Sequence, residues 1–263
     1  MRQSIFLPAA ALVALFVAAG AGIAEAPPAP YLTGAAAPDT VRILPPAPKV
    51  DSARGVADRA VFRATRALKG SPRWTLAQSD ANEAVPAMLS DFSCAAGASL
   101  TPGNAPKLAA MLARVRKDTV AAVNGPKDLY RRQRPFLIDR GDICIERTLA
   151  LAASPDYPSG HTTWGWTVGL ILAELAPDRA GPILSRARAF GESRVVCGVH
   201  NASAIEAGRT NGAALVAALH GDGAFRADLD AARTEMAAAR AAGPIPDAGA
   251  CKAEAALTDR SPW

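Results

Sequence analysis

Two of the three histidines in this chain sit in short blocks crowded with cations and small residues. Tyr157-Pro158-Ser159-Gly160-His161 reads as a turn running into a helix. A helix start presents unpaired N–H groups and positive dipole charge, so an anion binds there naturally. Gly160 lets the backbone come close to such an anion, and Ser159 can cap the helix or give its hydroxyl to the ligand. His161 follows in the first turn. A second block, Ser193-Arg194 to His200, adds a cation and another imidazole. Neutral imidazole is a competent nucleophile toward phosphorus, and a second imidazole can protonate the leaving oxygen.

Upstream lie Lys127 and Arg134, seven residues apart. Two helical turns span about 7.2 residues, so a continuous helix places both cations on one face, with Arg131 roughly sharing it and Arg132 pointing elsewhere. A Lys and an Arg together suit a tetrahedral dianion, the Arg through paired hydrogen bonds and the Lys as a point charge. The chemistry expected of the three blocks is capture of a phosphate and transfer of a phosphoryl group. The third histidine, His220, ends an apolar run before Gly221-Asp222-Gly223 and reads as a C-terminal helix residue.

The elements that must position these groups are helical. Half of the 263 residues are hydrophobic, aromatics make up only 5%, and β-branched runs are few. Apolar residues recur at helical spacing from Asp51 or Ser52 to about Leu68, over 76–80, and from Glu83 to about Ala96. A longer stretch runs from Ala105 to about Val123, where Asn124-Gly125-Pro126 breaks the pattern. A helical segment from Lys127 ends at Pro135, and residues 136–158 read as an irregular connection. Helices follow over 161–175, 178–195, 203–219 and 224–241, and the tail from Gly243 is loose except for Cys251. The fold class is all-α: one helical domain, residues 51–245, preceded by a Pro/Ala-rich arm, 25–50, and followed by a tail, 246–263. Trp164 and Trp166 are candidates either for the pocket mouth or for the core.

Residues 1–24 read as a signal peptide: Arg2, an uncharged apolar run from Ile5 to Ala19, and a small-residue cleavage site at Gly22-Ile23-Ala24. The run is short for a bilayer span, and no internal stretch qualifies, so the expected mature protein is periplasmic or secreted, without a membrane span. The formal net charge of +5 suits an anionic substrate and carries no argument for nucleic acid. Four cysteines in an exported chain suggest two disulfides. Three pairings are open, of which Cys94–Cys144 with Cys197–Cys251 is favoured. Their spacing fits no zinc pattern, and no metal or other cofactor is expected.

The order Lys-x6-Arg-Pro (Lys127 to Pro135), Pro-Ser-Gly-His (Pro158 to His161) and Ser-Arg-x5-His (Ser193 to His200) resembles the signature of the phosphatidic acid phosphatase type 2 superfamily. The text around it, roughly residues 40–245, is most similar to the soluble branch, the bacterial class A nonspecific acid phosphatases. The resemblance implies an all-α fold of the phosphatase/haloperoxidase type and metal-independent hydrolysis of phosphate monoesters. It implies His200 as nucleophile forming a phosphohistidine, His161 as general acid, and Lys127, Arg134, Ser159, Gly160 and Arg194 as phosphate ligands. Oligomeric state and natural substrate are left open.

One position departs from the pattern. The family continues His-x-x-x-Asp, its Asp orienting the nucleophilic imidazole, whereas this chain has Ala204. Two side chains are candidate substitutes. Glu206 is near, although Ser203-Ala204-Ile205-Glu206 fits a capping box that would turn it back on the helix start. Asn201 would orient without charge, and a backbone carbonyl is a third possibility. The expectation is an acid phosphatase of reduced activity. The alternatives are a phosphate-binding protein that has lost turnover and, further off, a vanadate-dependent haloperoxidase.

Overall fold

Every regular element among the described residues is helical. The computed structural model describes Met1 and residues 29–263; the predicted leader lies outside the described residues. In chain order the helices are α1 (Thr40–Ile43), α2 (Ala53–Thr65), α3 (Pro72–Ser79), α4 (Val85–Ala96), α5 (Pro106–Tyr130) and α6 (Pro135–Ile138). They continue with α7 (Leu149–Ala153), α8 (Gly160–Leu175), α9 (Ala180–Val196), α10 (Ala202–Leu219), α11 (Gly223–Ala242) and α12 (Ala248–Thr258). Several starts follow directly from sequence: Ser52, Ser71, Ser159, Asp222 and Asp247 each accept a backbone N–H from their own first turn.

The central element is α8, which lies between α9 and α10. Its apolar side chains Trp164, Val168, Ile171 and Leu172 are buried in one cluster with Met88, Leu89 and Phe92 of α4, Leu108, Met111, Leu112 and Val115 of α5, and Phe225 and Leu229 of α11. Trp164 is wholly inside this core and gives its ring N–H to the Glu83 carbonyl, so it does not line a pocket mouth. Gly208 brings the start of α10 against the turn before α8. A Cβ there would stand 2.8 Å from both the Ser159 carbonyl oxygen and Thr162 Cβ.

Three expectations are corrected. First, α5 runs through Asn124-Gly125-Pro126 to Tyr130. A proline cannot bond the carbonyl four residues back, which here is Ala122. That carbonyl instead accepts from Thr40 Oγ1 at 2.8 Å and Asn211 Nδ2 at 3.1 Å, so the backbone group is satisfied and the helix continues. Arg131 then ends it in a left-handed conformation, φ 43°. Lys127 and Arg134 are therefore not on one helix face: Arg134 lies beyond the helix, as the N-cap of α6.

Second, the disulfides are Cys94–Cys251 and Cys144–Cys197. Cys144 N–H donates to the Cys197 carbonyl at 2.9 Å, which lays the 139–146 segment on the end of α9. Ser99 N–H donates to the Pro244 carbonyl at 2.9 Å and returns the C-terminal segment to the end of α4. Third, order in that segment is not confined to Cys251, since Ala248–Thr258 form α12 around it. The N-terminal arm is docked as well. Tyr31 and Leu32 are buried, and both backbone N–H groups donate to the Asp118 carboxylate.

Candidate functional site

Ser159, Gly160 and His161 open α8, with Ser159 as N-cap. Ser159 Oγ accepts from Thr162 N at 3.2 Å and from the Thr162 hydroxyl at 3.0 Å, which leaves its own hydrogen to donate. A Cβ on Gly160 would meet only Val123, at 3.9 Å, so packing alone does not require glycine there.

His200 stands on the turn that leaves α9. Gly198 carries φ +81°, and a side chain there would also strike the Arg66 guanidinium. Arg66 in turn closes the end of α9, donating to the Val195 and Val196 carbonyls at 2.8 and 2.7 Å. Val199 and His200 N–H both donate to the Arg194 carbonyl, and the Cys144–Cys197 bond ties down the same turn. Ser193 is committed to the interior: its hydroxyl bonds Asp80 and accepts from Arg73 at 2.8 Å.

The ring of His200 is only 3% exposed, and its partners fix its tautomer. Arg134 Nη1 lies 3.2 Å from Nε2, and a guanidinium can only donate, so Nε2 carries the lone pair. Nδ1 lies 2.7 Å from the Asp156 carbonyl oxygen and 3.1 Å from Asp156 Oδ1, both acceptors, so Nδ1 carries the hydrogen. The nucleophilic lone pair thus faces the cations. Burial, then Arg134, Lys127 and Arg194, hold the His200 pKa well below that of an ordinary imidazole, so it stays neutral.

The expectation that His200 lacks a carboxylate is therefore corrected: Asp156 supplies one. Neither proposed substitute touches the ring. Glu206 pairs with Arg54 at the surface. Asn201, not Ser203, is the N-cap residue of α10, so the capping box does not form; Ser203 N–H donates instead to Asp58 Oδ1 at 2.9 Å. Asn201 holds the carboxylate rather than the ring, giving its backbone N–H to Oδ1 at 3.0 Å and its amide to Oδ2 at 2.9 Å.

Of the predicted phosphate ligands, Arg134 touches Nε2, and Lys127 and Arg194 are near enough to act on the ring electrostatically. Arg134 is anchored by the Ser154 and Val199 carbonyls at 2.7 and 2.8 Å. Lys127 Nζ donates to the Pro155 carbonyl, and burial followed by the nearby Arg134 lowers its pKa from 10.5 to about 8. Arg194 is 2% exposed, and its Nε and Nη1 find no hydrogen-bond partner among the described residues. Burial lowers it to about 10, opposed chiefly by Glu83. A buried guanidinium left with free donors is a costly arrangement that an oxyanion relieves.

His161 completes the constellation. Nε2 lies 3.1 Å from the Ala81 carbonyl and so donates; Nδ1 lies 3.2 Å from Glu83 Oε1. Burial first and then Arg194 lower the His161 pKa well below the usual value, while burial raises that of Glu83. At 3.2 Å from Nδ1, Glu83 Oε1 still has no hydrogen-bond partner among the described residues, and the neutral ring that donates through Nε2 keeps its lone pair at Nδ1. His220 is remote, bonded to Glu174 at 3.0 Å. Sequence reading missed Asp156 and Glu83. The only local signal for Asp156 was a carboxylate directly preceding Tyr157-Pro158.

A model of the PAP2 superfamily matches residues 107–226. An acid phosphatase of Zymomonas mobilis is 42% identical over 217 residues, covering 82% of each chain. A non-specific acid phosphatase of Providencia stuartii is 34% identical over 79% of this chain and 84% of its own. One from Salmonella typhimurium is 36% identical over 73% and 78%. With an all-helical architecture among the described residues and these relatives, the chain belongs to the PAP2 superfamily, among the non-specific acid phosphatases.

Proposed function

We propose that the protein is an exported, metal-independent acid phosphatase that hydrolyses phosphate monoesters through a phosphohistidine on His200. The observation that carries this reading is the buried Arg194 guanidinium with unpartnered donors, set beside Lys127, Arg134 and the lone pair of His200 Nε2. Such a pocket holds a tetrahedral dianion against a neutral nucleophile.

In the first step Nε2 attacks phosphorus and the P–O bond to the leaving group breaks. The proton held at His161 Nδ1 goes to the departing oxygen. In the second step a water attacks phosphorus, giving its proton back to His161, and the P–N bond breaks to release orthophosphate. Lys127, Arg134, Arg194, the Ser159 hydroxyl and the Gly160 amide would hold the non-bridging oxygens throughout. A bound dianion also reverses the electrostatics that depress both imidazoles, which favours a protonated His161 once substrate is in place. Export rests on the leader-like sequence of residues 1–24, and among the described residues no helix is long and apolar enough to cross a membrane.

The test is phosphate release from an aryl phosphate by the mature protein with EDTA present. Turnover between pH 4 and 8 is expected, together with an acid-labile phosphoenzyme in rapidly quenched samples. Both are expected to vanish in His200→Ala. Absence of turnover across that range, or dependence on an added metal, would refute the reading.

A further inference from the structure

We infer that Asp156 is a positioning residue for His200: its carboxylate fixes the ring and balances the charge that the ring acquires during turnover. This rests on the reading of His200 as the nucleophile.

The geometry is that of a fully committed carboxylate. Asp156 is 0% exposed, and four donors converge on its two oxygens. Oδ1 takes Asn201 N at 3.0 Å and His200 Nδ1 at 3.1 Å; Oδ2 takes Asn201 Nδ2 at 2.9 Å and faces Arg132 Nη1 at 3.3 Å. The backbone of Asp156 is pinned too, its N–H donating to the Arg132 carbonyl at 2.8 Å. The Arg132 guanidinium is held by Asp58 Oδ2 at 2.8 Å and Ser203 Oγ at 2.7 Å, and Asp58 is itself buried. The carboxylate that meets His200 is thus braced from α2 and the start of α10.

Charge distinguishes this from an ion pair that only ties a loop down. Within ion-pair distance Asp58 and Asp156 have one guanidinium between them, Arg132. The other cations near Asp156, Arg134 and Lys127, lie on the phosphate side of His200. When Nε2 bonds to phosphorus with Nδ1 still protonated, the imidazole becomes cationic. The Asp156 carboxylate lies 3.1 Å from that Nδ1. The same arrangement accounts for Ala204. Its side chain is buried among Leu44, Tyr157 and Ala207, where a carboxylate would be surrounded by apolar groups, and its carbonyl is taken by Ser159 N–H at 3.0 Å.

With only three histidines in the chain, imidazole nitrogen NMR can read the tautomer of His200 directly, without turnover. Wild-type protein is expected to show His200 as the Nδ1–H form, with that proton protected from exchange. In Asp156→Asn the backbone carbonyl, 2.7 Å from Nδ1, keeps the Nδ1–H form, and exchange of that proton is expected to quicken. The kcat of Asp156→Asn is expected to fall by about 10²- to 10⁴-fold, the range set by loss of an orienting carboxylate behind a catalytic histidine. KM should move by no more than about threefold, because the phosphate ligands are untouched. Ala204→Asp in the otherwise wild-type chain should not raise kcat. The inference is overturned by an Nε2–H tautomer in the wild type, by Asp156→Asn retaining both kcat and the slow exchange of the Nδ1 proton, or by a tenfold gain from Ala204→Asp. Should Asp156→Asn not accumulate folded, the wild-type tautomer and Ala204→Asp still decide. If wild type itself shows no turnover, the proposed function fails, and the tautomer and exchange measurements alone judge the placement of Asp156.

Discussion

Lys127 offers a sharp test of the phosphate pocket because its charge is expected to be lost within an accessible pH range. Burial and the neighbouring Arg134 lower its pKa to about 8. Below that pH the ammonium is present and holds a phosphoryl oxygen; above it the amine is neutral and the contact weakens. In the free enzyme at pH 9 about one Lys127 in ten is charged, so kcat/KM for an aryl phosphate should drop about tenfold between pH 7 and pH 9. The phosphomonoester is already a dianion there, its second pKa lying near ~6, so the falling limb belongs to the enzyme. A bound dianion favours the charged ammonium, and the limb in kcat should therefore lie at higher pH than the limb in kcat/KM. Lys127→Arg puts a group in place that does not titrate near 8, and its limb should move toward that of Arg194, about 10. Lys127→Met should remove the limb near 8 and leave only that of Arg194. It should also lower kcat/KM at pH 6 by roughly 10- to 10²-fold, the equivalent of one charge-assisted hydrogen bond of about 1.5–3 kcal/mol. Steady-state kinetics on the three proteins from pH 5 to 10.5 decide it. A limb near 8 that survives in Lys127→Arg would refute the assignment.

Arg194→Lys shortens the side chain and removes the paired donors. The inhibition constant for orthophosphate is expected to rise about 10- to 10²-fold, and the rise in Tm produced by vanadate should shrink with it. Equal Tm shifts in both proteins would count against Arg194 as a ligand. The two disulfides should separate stability from activity. A chain-entropy account gives about 5 kcal/mol for Cys94–Cys251 and about 4 kcal/mol for Cys144–Cys197, from sequence separations of 157 and 53. Only the second bond holds the turn that carries His200. Replacing Cys144 and Cys197 by Ala should therefore lower kcat well beyond the effect of replacing Cys94 and Cys251, with thermal unfolding and kinetics measured on both. Equal losses of kcat would show that the Cys144–Cys197 staple does not position the nucleophile.

The helices and the three cation-histidine blocks were legible because their signals are local. A cap, a helical apolar period and a Pro-Ser-Gly-His turn are all contained within a few residues. What escaped depends on partners distant in sequence. Pro126 reads as a break until Thr40 and Asn211, 82 and 89 residues away from Ala122, take up the freed carbonyl. The helix containing Cys251 is short and mostly exposed, and it is the bond to Cys94 that marks where it lies. Asp156 was hidden for a different reason. The family pattern places an orienting group just after His200, whereas the carboxylate reaches Nδ1 from 44 residues upstream.

Asp156 and Glu83 give the site a polarity that neither imidazole has alone. Both histidines present Nδ1 to a carboxylate, buried in Asp156 and partly exposed in Glu83, but their second nitrogens have opposite duties. His200 directs a bare Nε2 at the cations, whereas His161 spends its Nε2–H on the Ala81 carbonyl. Only His161 can therefore release a proton from Nδ1, toward the side where Glu83 and Arg194 meet, without giving up its anchor. Asp156 instead retains the His200 Nδ1 proton, because the carbonyl and carboxylate of one residue both accept it. Burial first, and then nearby cations, hold both histidines neutral, and Arg194 acts on both. In the proposed reaction the charge that would stabilise the transferring group is thus part of what keeps His200 unprotonated before substrate arrives.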